Sequence, residues 1–179
     1  MWRGMLEAAL MGEIPRETTS GSFDDVVRQR EAQVLRTAFR ILGNWADAED
    51  VAQEVFLRLH RHGIRFANDG AAGAWLYRVT VNLCLDRARS QRPSQEMFEL
   101  PSRERSAEAS VLLEEKKRLL MAALAMLPVK ERAAVVLREI EGLSTAEVAG
   151  VLGSSEVTVR SQISKALVRL RGILNREEV

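Results

Sequence analysis

The side chains best suited to chemistry stand near the C-terminal end, where Thr158, Arg160, Ser161, Gln162, Lys165 and Arg169 are interleaved with apolar residues at helical spacing. With Ile163 at the centre and about 100° per residue, Val159, Ala166, Leu167, Leu170 and Leu174 fall on one face of a helix. The opposite face carries Thr158, Ser161, Gln162, Lys165 and Arg169, flanked by Arg160. From Ser154 to Arg176 the bases Arg160, Lys165, Arg169, Arg171 and Arg176 oppose the single acid Glu156. Such a face binds rather than transforms. Arg, Lys and Gln bond base edges, Ser and Thr bond bases or phosphates, and basic groups gain affinity by releasing counterions. Glu156 either accepts from a cytosine amino group or complements the helix N-terminus.

A second cluster is acidic. Asp47, Glu49, Asp50 and Glu54, followed by Arg58 and Arg61, make a sided, charged helix able to dock on a complementary one, although acids in a first turn also simply complement the helix dipole. As paired carboxylates or metal ligands they lack convergence, because the chain adds only Cys84, His60 and His62. No enzymatic activity, metal or cofactor is expected. A lone cysteine also excludes a disulfide framework and fits a reducing cytoplasm.

The element that must position the basic face is written just before it. A helix from Pro128 to Glu141, a Gly142 stop, a capping box over Ser144 to Glu147, a short helix to Leu152, Gly153 at the turn and a new start at Ser154 spell helix-turn-helix. Ala149 suits the crossing of the two motif helices, and Gly153 supplies a left-handed turn conformation. A solvated amphipathic helix carries a similar outer face; the capped helix and glycine turn before it favour insertion into the major groove of duplex DNA.

Helical start and stop signals recur through the rest of the chain while strand alternation is absent, so the fold is all-α. At 179 residues and 46% hydrophobic, the chain can bury one sizeable core or two small ones. Its 26 Lys and Arg nearly balance 25 Asp and Glu, so attraction to nucleic acid must come from local clustering. The pattern points to two helical domains. Residues 1–21 read as a disordered tail, 22–92 as a first domain, 93–106 as an exposed linker rich in Pro, Ser, Glu and Arg, and 107–179 as a second domain.

In the first domain, Ser22 caps a helix through Phe23, Val26, Val27, Val34, Ala38 and Leu42, stopped by Gly43. Asp47 caps a second, with Val51, Val55, Phe56 and Leu59 inward, ended by Gly63. A loop with Asn68, Asp69, Gly70 and Gly73 leads to a third, from Ala74 to about Ser90, with Leu76, Val79 and Leu83 inward and Pro93 ending it. In the second domain, Ser106 caps a helix through Leu112, Leu113, Leu119, Leu120, Ala123 and Leu124, broken at Leu127-Pro128. No apolar run is long enough for membrane insertion, and the segment from Met1 to Ile14 is a poor signal peptide.

Three stretches carry a family resemblance. Asp47 to Leu59 (DAEDVAQEVFLRL) resembles the polymerase-binding helix of the extracytoplasmic-function sigma factors, short members of the sigma-70 family. Trp75-Leu76-Tyr77-Arg78-Val79 with Asn82 to Arg87 resembles their promoter-melting helix. Leu127-Pro128, Glu147-Val148-Ala149, Thr158-Val159-Arg160-Ser161 and Lys165-Ala166 are similar to their C-terminal helix-turn-helix, in the same order. The resemblance implies regions 2 and 4 joined by a flexible linker. It implies that Asp47, Glu49, Asp50, Gln53, Glu54 and Arg58 bind core RNA polymerase at the β′ clamp helices, with the β flap as a further contact.

By the same resemblance, the third helix handles the promoter −10 element. Asn82, Asp86 and Arg87 stand near DNA, and Asn68 and Asp69 near a flipped base. Trp75 and Tyr77 are candidate stacking residues, Trp75 being equally suited to a core. Arg78, Arg87, Arg89 and Arg92, opposed by Asp86, form a positive patch. Glu156, Thr158, Arg160, Ser161, Gln162, Lys165 and Arg169 would read the −35 element. Gln162 and Lys165 stand where the family often has Arg, and Val81 where a small or basic residue is common, which leaves the promoter sequence open. A separate anti-sigma factor is an expected partner. The rival reading is a dimeric helix-turn-helix regulator with a palindromic operator and no polymerase binding.

Overall fold

The computed structural model describes residues 23–61, 66, 68–90 and 108–177. The expected tail, the linker, the Ser22 and Ser106 caps, the Gly63 and Pro93 stops and Arg92 lie outside the described residues.

Helix α1 (Phe23–Leu42) begins with Asp24 and Asp25 in its first turn and ends where Gly43 turns left-handed at φ 78°. Its N–H there reaches back to the Phe39 carbonyl at 2.7 Å. Helix α2 (Trp45–Arg61) follows at once. Asn44, not Asp47, caps it: Asn44 Oδ1 accepts the Asp47 N–H at 3.0 Å, so Asp47 sits inside the first turn. Helix α3 (Asp69–Ser90) starts five residues before the expected Ala74. Asn68 Oδ1 accepts the Ala71 N–H at 2.8 Å, and that cap carries the helix through Gly70 and Gly73, whose low helix propensity suggested a loop. Gly70 leaves room for the cap, since a Cβ there would approach Asn68 Oδ1 to 3.3 Å.

These helices close on Val34, Ala38, Phe39 and Ile41 of α1, Ala48, Val51, Val55 and Leu59 of α2, and Leu76, Val81 and Cys84 of α3. A fully buried Ile41 or Val55 contributes about 1.5–3 kcal/mol relative to exposure. Phe23 stays largely exposed, and Ile41 and Phe39 fill the core instead.

The second bundle comprises α4 (Glu108–Ala125), α5 (Val129–Val135, continued by a π-helical turn Val136–Ile140), α6 (Thr145–Leu152) and α7 (Glu156–Glu177). Pro128 caps α5 with extended backbone at φ −53° and ψ 137°. Ser144 and Glu147 form the reciprocal capping box, the Ser144 N–H donating to Glu147 Oε2 at 2.7 Å and the Glu147 N–H to Ser144 Oγ at 3.2 Å. Gly153 takes φ 60° and ψ 38°, and Ser155, one residue past the expected start, caps α7 by accepting the Thr158 N–H. Met121, Ala123 and Leu124 of α4 are buried, whereas Leu119 and Leu120 face outward.

The two bundles are not separate. Their buried residues form one continuous cluster, and two polar devices hold the seam. Arg132 of α5 donates to the Ile41 carbonyl at 2.7 Å, and to the Leu127 carbonyl at 3.0 Å and the Ala125 carbonyl, thereby satisfying acceptors at the ends of α1 and α4. Its burial pulls its pKa down to about 10, still far above neutrality. Glu141, just past the π turn, accepts from Arg40 at 2.6 Å, from Thr37 Oγ1 at 3.0 Å and from Tyr77 OH at 3.0 Å. Its side chain is 9% exposed, so the carboxylate is held by donors of the other bundle rather than by water. Among the described residues no helix is long and apolar enough to cross a membrane.

Candidate nucleic-acid and protein interfaces

On α7 the buried residues are Val159, Ala166 and Leu170, with Ile163 half-buried beside them. Leu167, expected inward, is 42% exposed, because this core meridian leaves it on the flank. Thr158, Arg160, Ser161, Lys165, Arg169 and Arg171 are all exposed, as the amphipathic pattern requires. Gln162 departs from that set: it is half-buried at the edge of the core stripe, with Oε1 lacking a hydrogen-bond partner. Several of the polar groups are engaged locally. Thr158 Oγ1 lies 2.9 Å from Ser155 Oγ, Arg160 pairs with Glu156 at 3.3 Å, and Arg169 approaches Glu131 at 3.6 Å without a hydrogen bond. The exposed Arg160–Glu156 pair contributes about 0–1 kcal/mol, so a phosphate competes with it easily, whereas the Glu131 carboxylate facing Arg169 is largely covered. The pole of α7 also carries two apolar residues, Val157 and Val168, which hydrophobic periodicity had no reason to mark.

On α3, stepping about 100° per residue gathers Trp75, Arg78, Asn82, Asp86 and Arg89 within a sector of about 80°. Asn82, Asp86 and Arg89 are exposed and Trp75 and Arg78 half-buried. Asp86 pairs with Arg89 at 3.0 Å. Trp75 packs its ring against Phe66, centroids 5.8 Å apart. Two residues grouped with these by sequence lie elsewhere. Tyr77 faces α1 and the second bundle, accepting a hydrogen bond from Gln33 and donating to Glu141. Burial, reinforced by the Glu141 charge, pushes its phenol up to about 12. Arg87 turns toward the start of α2, bonding Asp47 at 2.6 Å and Asp50 at 2.8 Å. Burial alone would lower its pKa, but these bonds and the two acidic charges outweigh it and raise it. Asn68 is occupied in capping, and Asp69 pairs with Arg30 of α1.

On α2, Glu49, Asp50 and Gln53 are exposed, Glu54 and Arg58 half-exposed, and Asp47 mostly covered by its Arg87 contact. Glu54 and Arg58 are joined at 2.7 Å, and that hydrogen bond holds the Glu54 carboxyl below its usual range. Leu57 sits among these charges with 40% of its surface exposed, an apolar point on a charged ridge. Leu57, Glu141 and Arg132 carry no motif of their own. Only an apolar residue out of phase with α2's core stripe, and charged residues beside the Gly142 stop and the Pro128 cap, hinted at them.

The regions found by geometry coincide with known families. Residues 26–94 match Sigma-70 region 2, and residues 117–170 match Sigma-70, region 4. The chain is 35% identical over 162 residues to the ECF RNA polymerase sigma factor SigM of Mycobacterium tuberculosis, covering 86% of this chain and 79% of that protein. It is 34% identical over 152 residues to the RNA polymerase sigma-E factor of Streptomyces avermitilis, covering 83% of each. Among solved structures, the sigma factor RpoE from Bartonella quintana, in complex with the anti-sigma factor NepR, superposes with a TM-score of 0.67 over 86% of this chain and 96% of that one; at 19% identity the likeness speaks for the fold alone. Matching both regions in order, and relatives of this kind along most of its length, the chain belongs to the extracytoplasmic-function sigma factors of the sigma-70 family.

Proposed function

We propose that the chain is a cytoplasmic transcription initiation factor without covalent chemistry of its own, docking on core RNA polymerase through α2 and reading promoter DNA through α7 and α3. The observation that carries this reading is the separation of an acidic ridge on α2 from a basic outward face on α7 in one member of this family. Asp50, Gln53 and Glu54, with Leu57 among them, supply charge complementarity and an apolar anchor for the β′ clamp helices. Arg160, Ser161, Lys165 and Arg169 supply phosphate and base-edge contacts at the −35 element, with the β flap a further contact of that bundle. Trp75, Arg78, Asn82 and Arg89 share the α3 face suited to single-stranded −10 DNA.

Reading both elements at once requires the seam between the bundles to open. The two elements lie roughly 25 base pairs apart, about 85 Å at 3.4 Å per step. A compact fold of this length has a radius of gyration of only about 16 Å. The seam contacts at Glu141 and Arg132 are therefore exchanged for polymerase and DNA contacts, and an anti-sigma factor would act by keeping both interfaces covered.

In vitro transcription from fragmented genomic DNA with purified core enzyme, followed by start-site mapping, tests this. Start sites sharing a directional, non-palindromic element are expected. Lys165→Ala should weaken promoter binding in a salt-dependent way, while Asp50→Ala should impair core binding and spare duplex affinity. A stable homodimer on a palindromic site, with no core binding by the folded chain, would instead establish the dimeric regulator.

A further inference from the structure

The first residues of α7 are the ones a recognition helix points at base edges, and in the free chain their polar side chains make weak local contacts. Glu156 and Arg160 pair with each other at 3.3 Å, Thr158 turns its hydroxyl to Ser155 at 2.9 Å, and Val159 is fully buried. Val157 is left, 70% exposed and almost opposite Val159 on the helix. A β-branched apolar side chain in that position gains nothing from water. Arg160 lies one turn away, and Lys165, Arg169 and Arg171 follow along the exposed side of the helix, their charge drawing this surface against phosphates. The one apolar feature that the major groove offers is the thymine C5-methyl group.

We propose that Val157 is a specificity-determining residue that reads the methyl group of a thymine in the −35 element. The proposal rests on the assignment of α7 to that duplex. Val168, 68% exposed on the same pole, lies about 16 Å further along the helix, away from the N-terminal residues that a recognition helix points at base edges. It therefore serves as the internal control.

Selection of bound duplexes from a randomised −35 region, using the full chain in holoenzyme with core polymerase, gives the preferred element. Each thymine is then replaced by uracil, which lacks only the methyl group. Wild type is expected to lose about fourfold in promoter affinity at one thymine, and Val157→Ala less than about 1.5-fold there. Val168→Ala should keep the fourfold loss. Equal uracil penalties in wild type and Val157→Ala, the absence of any methyl-sensitive position, or a preferred element without thymine overturns the proposal. So does self-association of the chain that Val157→Ala abolishes, which would make this residue a protein contact. Lys165→Ala measured in parallel separates the two possible failures. If it weakens binding while the uracil comparison shows no coupling to Val157, only the methyl reading falls; if it leaves duplex affinity unchanged, the assignment of α7 falls with it.

Discussion

The two bundles hold their candidate recognition groups in opposite ways. In the first, Arg87 is clamped by Asp47 and Asp50, Tyr77 by Gln33 and Glu141, and Asp69 by Arg30. Groups that the family resemblance assigns to DNA are thus engaged: Arg87 by residues it assigns to polymerase, Tyr77 by the seam, and Asp69 by a neighbouring helix of the same bundle. In the second, Ser161, Lys165 and Arg171 stand exposed on α7, and the Arg160–Glu156 pair beside them is a weak surface pair. The second bundle presents its candidate face largely free, whereas in the first Arg87, Tyr77 and Asp69 would have to exchange partners before they could contact DNA. A duplex needs only a rigid helix with charges on its outer side, whereas under the proposed assignment melted DNA and a polymerase surface would share one small three-helix domain, coupled through the Arg87 contacts to Asp47 and Asp50.

That contrast can be broken most severely at the seam. Arg132→Met strands the Ile41, Ala125 and Leu127 carbonyls and should cost about 4 kcal/mol in denaturant unfolding. A loss below about 1 kcal/mol would mean that these carbonyls are satisfied without the guanidinium. Glu141→Gln should cost about 2 kcal/mol by the same measurement, and it has a sharper spectroscopic signature. Tyr77 is the chain's one tyrosine, so absorbance titration reports it alone. Its phenol pKa is raised on folding, so its contribution to stability is fully present below the unfolded value of about 10 and is lost as pH rises through about 12. In Glu141→Gln the titration midpoint should move down toward the ordinary value, because a charge that opposes phenolate formation is gone.

Gly153→Ala tests the candidate face of the second bundle. Forcing a Cβ into φ 60° should cost about 1 kcal/mol and loosen the angle between α6 and α7 with no steric clash to confuse the result. Thermal unfolding and duplex affinity should fall together. The smallest effect on the fold belongs to Lys165→Ala: stability within about 0.5 kcal/mol of wild type, and a salt dependence of promoter binding reduced by about one unit of slope. Loss of stability there would show that α7 is less independent of its outer face than the comparison holds.

Much of this molecule is readable from residue order because the relevant forces are local. The capping box at Ser144 and Glu147, the left-handed Gly153, and the core phase of Val51, Val55 and Leu59 depend on neighbours within a few positions, and each stands where periodicity and turn chemistry put it. The misplacements are instructive. The start of α3 was hidden by two glycines that an asparagine cap overrides, and Asn44 took the role that Asp47's type suggested. Tyr77 and Arg87 share a motif with Asn82 and Asp86 along the chain, yet about 100–140° of helical phase sends them to different neighbours.

Residue order by itself determined the helices, the capping box at Ser144 and the amphipathic faces, because hydrogen bonding and hydrophobic period act over a turn or two. Tertiary structure alone decided which polar groups meet across long separations. Glu141 is 104 residues from Thr37, and Arg132 is 91 from Ile41; no local signal marks a buried acceptor whose donors come from another bundle. It also decided how far the out-of-phase apolar residues stay uncovered: Val157 and Leu57 remain 70% and 40% exposed, available to a partner.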